Sequence, residues 1–458
     1  MQLQLEHDFI SRYDGKLLLR REIPINKTAF EQLLQSSYFT SVPSFERKLY
    51  QLECQRCGNR KTSLLGKMPC LRCEKTHGYC RKCIQMGRVI ECEPLYEWSG
   101  PKAVWPEHPD ACSWKGKLTS VQQHAAERIT AAIKHNETEL LVWAVCGAGK
   151  TEMLFPGITE TLRMGKRICI ATPRTDVVRE LLPRMRDGFS SVYIQGMYGE
   201  SRERDGTAQM IIATTHQLLR FKHAFDVIVI DEIDAFPYHS DPSLAFAAER
   251  ARKANSTTIY LTATPRRNHR HRIAMKKLPH IFVPSRFHGY PLPVPVLRMS
   301  FSLRKALKQY HPPKVFKDWI QKRTNPNRQL LIFVPTINLA NHLIPNLKAI
   351  RLDNITAVHA SDKDREEKIE KFRNRHIQTL VTTTILERGV TFPSVDVAVL
   401  DAGHTVFDEA ALVQIAGRAG RSPDDPTGEV VFFHDGKTNA MAEAVQSIKK
   451  MNKRGGFS

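Results

Sequence analysis

No stretch of this sequence approaches the ~18 consecutive apolar residues that a membrane-spanning helix needs, so a helical integral membrane protein is not expected. The opening residues, MQLQLEHDFISRYDGK, lack the basic-then-apolar order of a secretory signal, and the chain is expected in the cytoplasm. There is no repeat of fixed period and no low-complexity tract, which sets aside solenoids and arrays. Acidic residues are in short supply: 47 Asp and Glu face 68 Lys and Arg, leaving a net charge of +21 at neutral pH. Such an excess favours a polyanion as partner, either nucleic acid or an acidic membrane face. Cysteine is scarce outside one segment, seven of the ten falling between residues 54 and 92. That clustering argues for metal ligation in a reducing compartment rather than a disulfide framework.

At 458 residues, 41% of them apolar, the chain is too long for one core, and length alone suggests about three units of roughly 150 residues. Residues 1–50 carry no nameable motif and are read as an N-terminal arm. A cysteine-rich segment (51–95) and a Pro- and Trp-containing connector (96–116) follow. From Leu118 the texture changes. "LTSVQQHAAERITAAIKHN" spaces Val121, Ala125, Ile129 and Ile133 four apart, the mark of an amphipathic helix. Apolar runs then alternate with helical stretches: "LLVWAV", "KRICIAT", "MIIATT", "FDVIVID" and "TTIYLTA". After "FVPSRFHGYPLPVPVL" the pattern resumes with "QLLIFVPT", "ITAVHA", "IQTLVTTT", "VDVAVLDAG" and "GEVVFFHDG". The reading is α/β, with two parallel-sheet P-loop-type domains, 117–285 and 301–440, a Pro-rich hinge (286–300) and a basic tail (441–458).

"AVCGAGKTEM" (144–153) sits where a buried strand feeds a helix. Against the phosphate-loop pattern G-x-x-x-x-G-K-[ST], Gly149, Lys150 and Thr151 fit, while Ala144 replaces the first glycine. The backbone N–H groups of Gly147, Ala148 and Gly149 are expected to cradle ATP phosphates, with Lys150 between the outer ones and the Thr151 hydroxyl on Mg²⁺. "FDVIVIDEID" then ends a strand in Asp231, expected to hold the Mg²⁺ water shell, and Glu232, expected to polarise the attacking water. The bland alternative is that the two acids merely cap the next helix. "QIAGRAGR" (414–421) supplies Arg418 and Arg421, expected on one helix face, to neutralise charge on the transferred phosphoryl, with Gln414 beside the γ-phosphate or water. Because they lie across the hinge, chemistry is expected to be coupled to motion.

These motifs resemble those of superfamily 2 helicases and translocases, two RecA-like domains in tandem. "LTSVQQ" is similar to the adenine-reading glutamine motif, which implies that role for Gln122. "ATPRTD", "TTHQLL", "DEID", "TATP", "TTTILERGVTFP" and "QIAGRAGR" stand in family order over about 117–435. D-E-I-D, T-A-T and the form of "QIAGRAGR" depart from the DEAD-box RNA helicases. "TTTILERGVTFP" is similar instead to DNA translocases of fork restart, such as primosomal protein N′ and the RecG helicase, which usually have Asp where Thr391 stands. Most similar is the ComFA family of late competence DNA-uptake helicases, through "CQRCG", "GYCRKCIQMGRV", "DEIDAFPY" and "RFHGYPL" among others, over about 45–455. The resemblance implies an ssDNA-stimulated ATPase, peripheral at the inner face of the cell membrane. It also implies as partners single-stranded DNA, the membrane DNA-uptake channel, the ComFC phosphoribosyltransferase-like protein and the DprA recombination mediator. Homo-oligomers are compatible with it.

Three C-x-x-C pairs occur, Cys54/Cys57, Cys70/Cys73 and Cys80/Cys83, with Cys92 beyond. Two such knuckles give four thiolates for tetrahedral Zn²⁺, and a ribbon this short would hardly fold without metal. The resemblance favours Cys54, Cys57, Cys80 and Cys83. By spacing alone 54/57 with 70/73 is also feasible, and the extra pair could take a second metal with His77 or Cys92. Arg56, Arg60, Lys61, Arg81, Lys82 and Arg88 offer a DNA contact or docking face, or else the ribbon is a structural staple. Thr172, Arg174, Thr214, Thr215, Thr383 and Thr384 match motifs that grip a nucleic-acid backbone. The expected function is an ATP-dependent ssDNA translocase for uptake of transforming DNA. The alternatives are a replication-restart helicase and a non-catalytic zinc-ribbon adaptor.

Overall fold

The structure, a computed structural model, describes residues 6–48, 51–71, 73–203 and 205–457. The chain divides into two compact units, Met1–Val142 with Thr151–Ile281, and Trp143–Lys150 with Phe282–Ser458.

The first unit begins with a small antiparallel sheet of β1 (Leu17–Leu19) and β2 (Phe39–Val42), joined in the order β1-β7-β2 by β7 (Leu95–Trp98). Helices His7–Tyr13 and Lys27–Gln35 accompany it, the second capped by Asn26, whose Oδ1 accepts from the Ala29 N–H at 2.8 Å. Tyr13, Leu18, Ile23, Phe30, Leu33, Phe39 and Trp98 form its core. The described part of the expected arm is thus a folded module, and residues 1–5 lie outside the described residues. Between β2 and β7 stand two hairpins, β3 (Phe45–Lys48) with β4 (Gln51–Cys54), and β5 (Leu65–Pro69) with β6 (Thr76–Cys80).

The larger sheet comprises β8 (Glu139–Ala144), β9 (Ile168–Thr172), β10 (Ile194–Met197), β11 (Met210–Thr214), β12 (Phe225–Asp231), β13 (Arg252–Thr262) and β14 (His280–Val283), ordered β10-β11-β9-β12-β13-β8-β14. β9, β11 and the apolar run of β12 are buried throughout, as a parallel sheet covered on both faces requires. Helix Ser120–Lys134 follows the four-residue spacing, burying Ala125, Ile129 and Ile133.

In the second unit β15 (Val296–Met299), β16 (Gln329–Phe333), β17 (Ile355–Val358), β18 (Thr379–Thr382), β19 (Val395–Leu400) and β20 (Val430–His434) form a parallel sheet in the order β15-β20-β19-β16-β18-β17. Phe316, Trp319, Leu330, Ile332 and Phe433 lie at its core.

Two segments differ from expectation. β15 falls inside the Pro-rich hinge, where an edge strand needs pairing on one side only. The expected basic tail is most of helix Asn439–Arg454, which buries Met441, Ala444, Ile448 and Met451 at helical spacing. Asn452 fixes it by exchanging two hydrogen bonds with the Leu292 backbone, at 2.9 and 2.8 Å.

Candidate nucleotide and metal sites

β8 is buried at Leu140, Leu141, Val142 and Ala144, and the chain leaves it in a turn that opens helix Lys150–Arg163. Ala144 is the last strand residue, in extended backbone, where a methyl group is tolerated; this accounts for the missing first glycine. Gly147 and Gly149 have φ of +81° and +73° on either side of Ala148. A Cβ on Gly147 would meet only ordinary contacts, so backbone conformation rather than space requires glycine there. Left-handed residues in such a turn point N–H groups into one concavity, and the helix start adds its positive end to the anion site. Lys150 and Thr151 are the first two helical residues.

β12 lies between β9 and β13 at the middle of its sheet and delivers Asp231 and Glu232 at its carboxyl end. Both are buried, at 9% and 8% exposure, and the Glu232 N–H donates to Asp231 Oδ1 at 2.9 Å. Glu232 has φ of +56°, a strained conformation for a side-chain-bearing residue. Neither acid caps the next helix. That helix is Pro242–Ala251, and Asp241 caps it by accepting from the Ser243 N–H at 3.0 Å.

Asp234, two residues past this pair, was not singled out from sequence. It is fully buried, its Oδ1 accepts from Thr262 Oγ1 at 2.6 Å, and Thr264 Oγ1 donates to its other oxygen. "DEID" and "TATP" are thereby one hydrogen-bonded assembly, completed by Arg266 Nη2 donating to the Asp234 carbonyl at 2.9 Å. Gln122 is buried and forms a capping box with Thr119: its Oε1 accepts from the Thr119 N–H at 2.8 Å, which fixes the amide. Thr172, the last residue of β9, and Thr215, just past β11, are fully buried, and their hydroxyls have no hydrogen-bond partner among the described residues. Arg174, Thr383 and Thr384 are half-buried.

In the second unit, helix Glu409–Ala416 ends before both expected arginines, so Arg418 and Arg421 do not share a helix face as anticipated; the Gly417-containing turn separates them from it. Arg418 is buried and donates through Nε to the Glu387 carbonyl at 3.0 Å. Arg421 donates to the Gly417 carbonyl at 2.9 Å and to Thr391 Oγ1 at 3.3 Å. Thr391 therefore offers Arg421 a neutral acceptor. Gln414 is buried; its Oε1 accepts from Cys146 Sγ at 3.0 Å, and its Nε2 has no hydrogen-bond partner among the described residues. A further residue escaped sequence reading: Arg286, from "RFHGYPL", is buried with its Nη2 on the Ala419 carbonyl at 2.9 Å and its Nη1 on the Gly420 carbonyl. Burial and the Arg421 charge lower its pKa to about 10.

The first unit brings Cys54, Cys57, Cys80 and Cys83 together, fully buried, with all four Sγ atoms within 4.8 Å of one another. Cys54–Cys83 and Cys57–Cys80 are 3.8 and 3.5 Å apart, near the ~3.8 Å edge of a tetrahedron with metal–sulfur bonds of about 2.3 Å. The four residues fit Zn²⁺. The β5/β6 hairpin decides between the pairings open in sequence. It pairs Leu65 with Cys80, so Cys70 lies about five residues, or ~17 Å of strand, away at the tip. Cys54 N–H donates to the Asn59 carbonyl at 3.0 Å and Gly58 N–H to the Cys54 carbonyl at 2.8 Å, the latter with φ of +68°.

Four thiolates around a dication leave two negative charges, and the buried Arg56 and half-buried Arg250 lie close by. Arg56 makes a bidentate pair with Glu22, 2.8 Å to each oxygen, and is not available to DNA. Arg250 donates to the Gln55, Arg56 and Leu219 carbonyls at 2.8, 2.6 and 2.7 Å, clamping the knuckle to its own helix. Its pKa is lowered to about 10, by burial and then by the Arg56 charge, against the opposing pull of the thiolates. Lys82 pairs with Asp241 at 2.7 Å and Arg60 with Glu53, while Lys61 and Arg81 remain exposed.

Tandem RecA-like α/β domains carrying this set of motifs define an ATP-hydrolysing superfamily 2 helicase. Family models match three stretches: the Competence protein ComFA N-terminal domain at 4–97, the Type III restriction enzyme, res subunit at 115–267, and the Helicase conserved C-terminal domain at 312–423. Competence protein ComFA of Bacillus subtilis (strain 168) is 42% identical over 95% of this chain and 93% of its own length. Competence protein ComFA of Streptococcus pneumoniae (strain ATCC BAA-255 / R6) is 38% identical over 86% and 92%. The chain belongs to the ComFA family and is a competence-associated helicase. A transcription-repair-coupling factor of Staphylococcus haemolyticus (strain JCSC1435) is 25% identical over 74% of this chain and 29% of its own length. In fold, the chain is similar to S. cerevisiae Dbp5 bound to RNA and ADP BeF3, with a TM-score of 0.55 at 19% identity over 73% of this chain and 88% of that one. No helix among the described residues is long and apolar enough to cross a membrane.

Proposed function

We propose that this protein is an ATP-driven single-stranded DNA translocase that draws transforming DNA across the cytoplasmic membrane, working peripherally at its inner face. The observation that carries the motor is the buried Asp231–Glu232 pair, held at the end of the central strand with Glu232 left-handed and neither acid spent on a helix cap. Gly147, Ala148 and Gly149 would cradle the phosphates, Lys150 would neutralise the outer ones, and Thr151 and Asp231 would hold Mg²⁺. Mg²⁺ supplies charge neutralisation between the phosphates. Glu232 orients and polarises the attacking water, while Arg418 and Arg421 offset charge on the transferred phosphoryl. Gln122 reads the adenine. An unpaired buried amide such as Gln414 Nε2 costs about 1–3 kcal/mol, which a phosphate or water acceptor would offset.

Support for DNA uptake comes from the +21 charge and from the competence names of relatives that align over nearly their whole length. The uptake channel, a ComFC-type protein and a DprA-type mediator are the partners this role calls for. The test is steady-state ATP hydrolysis by the zinc-loaded protein without nucleic acid and with ssDNA, duplex, forked DNA or ssRNA, beside Glu232→Gln. Strong stimulation by plain ssDNA, lost in the variant, is expected. Fork preference would assign the motor to replication restart. Absence of turnover with every substrate would leave a non-catalytic adaptor.

A further inference from the structure

The ribbon holds a second group of thiols that the motor and the buried tetrathiolate leave unused. Cys70, Cys73 and Cys92 place their sulfurs within 4.8 Å of one another at the tip of the β5/β6 hairpin. His77, on β6, brings its Nε2 to 2.9 Å from Cys73 Sγ. The three thiols are the mutually close group, and His77, which reaches Cys73 from outside it, would turn in to complete a Cys₃His donor set, a standard coordination for Zn²⁺.

The backbone repeats the first knuckle. At Cys54-x-x-Cys57, the first cysteine's N–H donates five residues on, to the Asn59 carbonyl, and its carbonyl accepts from the Gly58 N–H. At Cys70-x-x-Cys73, the Cys70 N–H donates to the Lys75 carbonyl at 2.9 Å and the Cys70 carbonyl accepts from the Glu74 N–H at 2.9 Å. The residue after the second cysteine is left-handed in both, φ +68° at Gly58 and +56° at Glu74. Glu74 adopts that conformation without the freedom of glycine, as the last residue of the loop that closes the hairpin between Cys70 and Lys75. Cys92 arrives from outside the hairpin. A bridge between Tyr79 and Ile90, and the Glu91 N–H on the Gly78 carbonyl at 2.9 Å, lay residues 90–92 along β6 and carry the third thiol to the tip.

We propose that Cys70, Cys73, His77 and Cys92 bind a second Zn²⁺, distinct from the ion held by Cys54, Cys57, Cys80 and Cys83. On ligation the three thiols give their protons to solvent and neutral His77 contributes a lone pair through Nε2, leaving one negative charge on the complex. Cys73 is exposed and Cys70 and Cys92 half-buried, whereas the other four are buried, so this ion exchanges with solvent chelators first. It pins the free end of the hairpin to the segment that leads into β7. The inference is independent of the motor reading.

The test is metal counting on the full chain, purified with a non-chelating reductant and loaded with Zn²⁺ alone, together with Co²⁺ substitution. Two equivalents are expected for the parent and one for the Cys70→Ser/Cys73→Ser variant, which should keep parental ATP turnover and so prove itself folded. Titrated Co²⁺ should give two distinct thiolate charge-transfer signatures, and His77→Ala should shift only that of the more exchangeable ion. A parent holding one equivalent, with Cys70, Cys73 and Cys92 freely alkylated, would overturn the proposal. An unshifted cobalt spectrum in His77→Ala would remove His77 from it.

Discussion

The two parallel sheets are alike in backbone and unlike in chemistry. Each has a strand followed by an acidic residue in left-handed conformation: Glu232, next to the end of β12, and Asp401, just past β19, with φ of +56° and +59°. Each has a strand, β8 or β16, that feeds a helix. After β8 the turn is rich in glycine and leads straight into the helix at Lys150. After β16 the turn has no glycine, and Thr336 caps the helix with its own side chain, Oγ1 accepting from the Leu339 N–H at 3.2 Å. The same fold thus leaves a glycine-rich turn in one sheet and closes the matching turn in the other with a single hydroxyl. Architecture alone does not assign activity; the residues at the strand ends do.

The comparison breaks if the two strand–helix junctions prove equivalent. Lys150→Ala is expected to bring ATP turnover to background while circular dichroism and the unfolding midpoint stay parental. Glu232→Gln should lower kcat about 10²–10⁴-fold, whereas Asp401→Asn should leave it within twofold in the same assay. Metal removal sharpens the contrast between units. Strong chelation should strip hydrogen-exchange protection from the ribbon around Cys54–Cys83 and lower the first unit's stability, with residues of β16 to β20 unaffected.

Asp401→Asn has its own pH signature. Burial raises the Asp401 carboxyl above its ordinary range. A raised folded pKa means the favourable, protonated form is fully available below the unfolded pKa, and that contribution is lost as pH rises through the folded value. The variant should therefore be more stable than the parent at about pH 7, with the difference closing towards about pH 3, in denaturant titrations. Smallest of all, Thr336→Ala should cost about 1 kcal/mol of second-unit stability and leave turnover unchanged.

Much of both sheets was legible because buried parallel strands are continuous apolar runs, and "FDVIVID" or "VDVAVLDAG" can hardly be anything else. β10, β14 and β15 escaped: each is four residues long, and Val296–Met299 is exposed along most of its length. The N-terminal sheet escaped for another reason. Its pairing of Leu17 with Glu97 spans the whole ribbon, and no local pattern announces so distant a partner. At the site, Lys150, Thr151, Asp231 and Glu232 follow from short motifs. Asp234 and Arg286 act through Thr262, Thr264 and the 417–420 backbone, contacts that only the folded chain creates. The pairing of cysteines was open in sequence because hairpin geometry, not spacing, decides which knuckles meet.

The N-terminal sheet has a further consequence. Val42 at the end of β2 and Leu95 at the start of β7 are register partners in an antiparallel pair. Everything between them, both hairpins and all seven clustered cysteines, is an excursion that leaves from and returns to one rung of a ladder. A two-residue turn could close that rung. The metal ribbon is in this sense a cassette: genetics could lengthen it, exchange it or excise it at a single joint without asking the surrounding sheet to change its register.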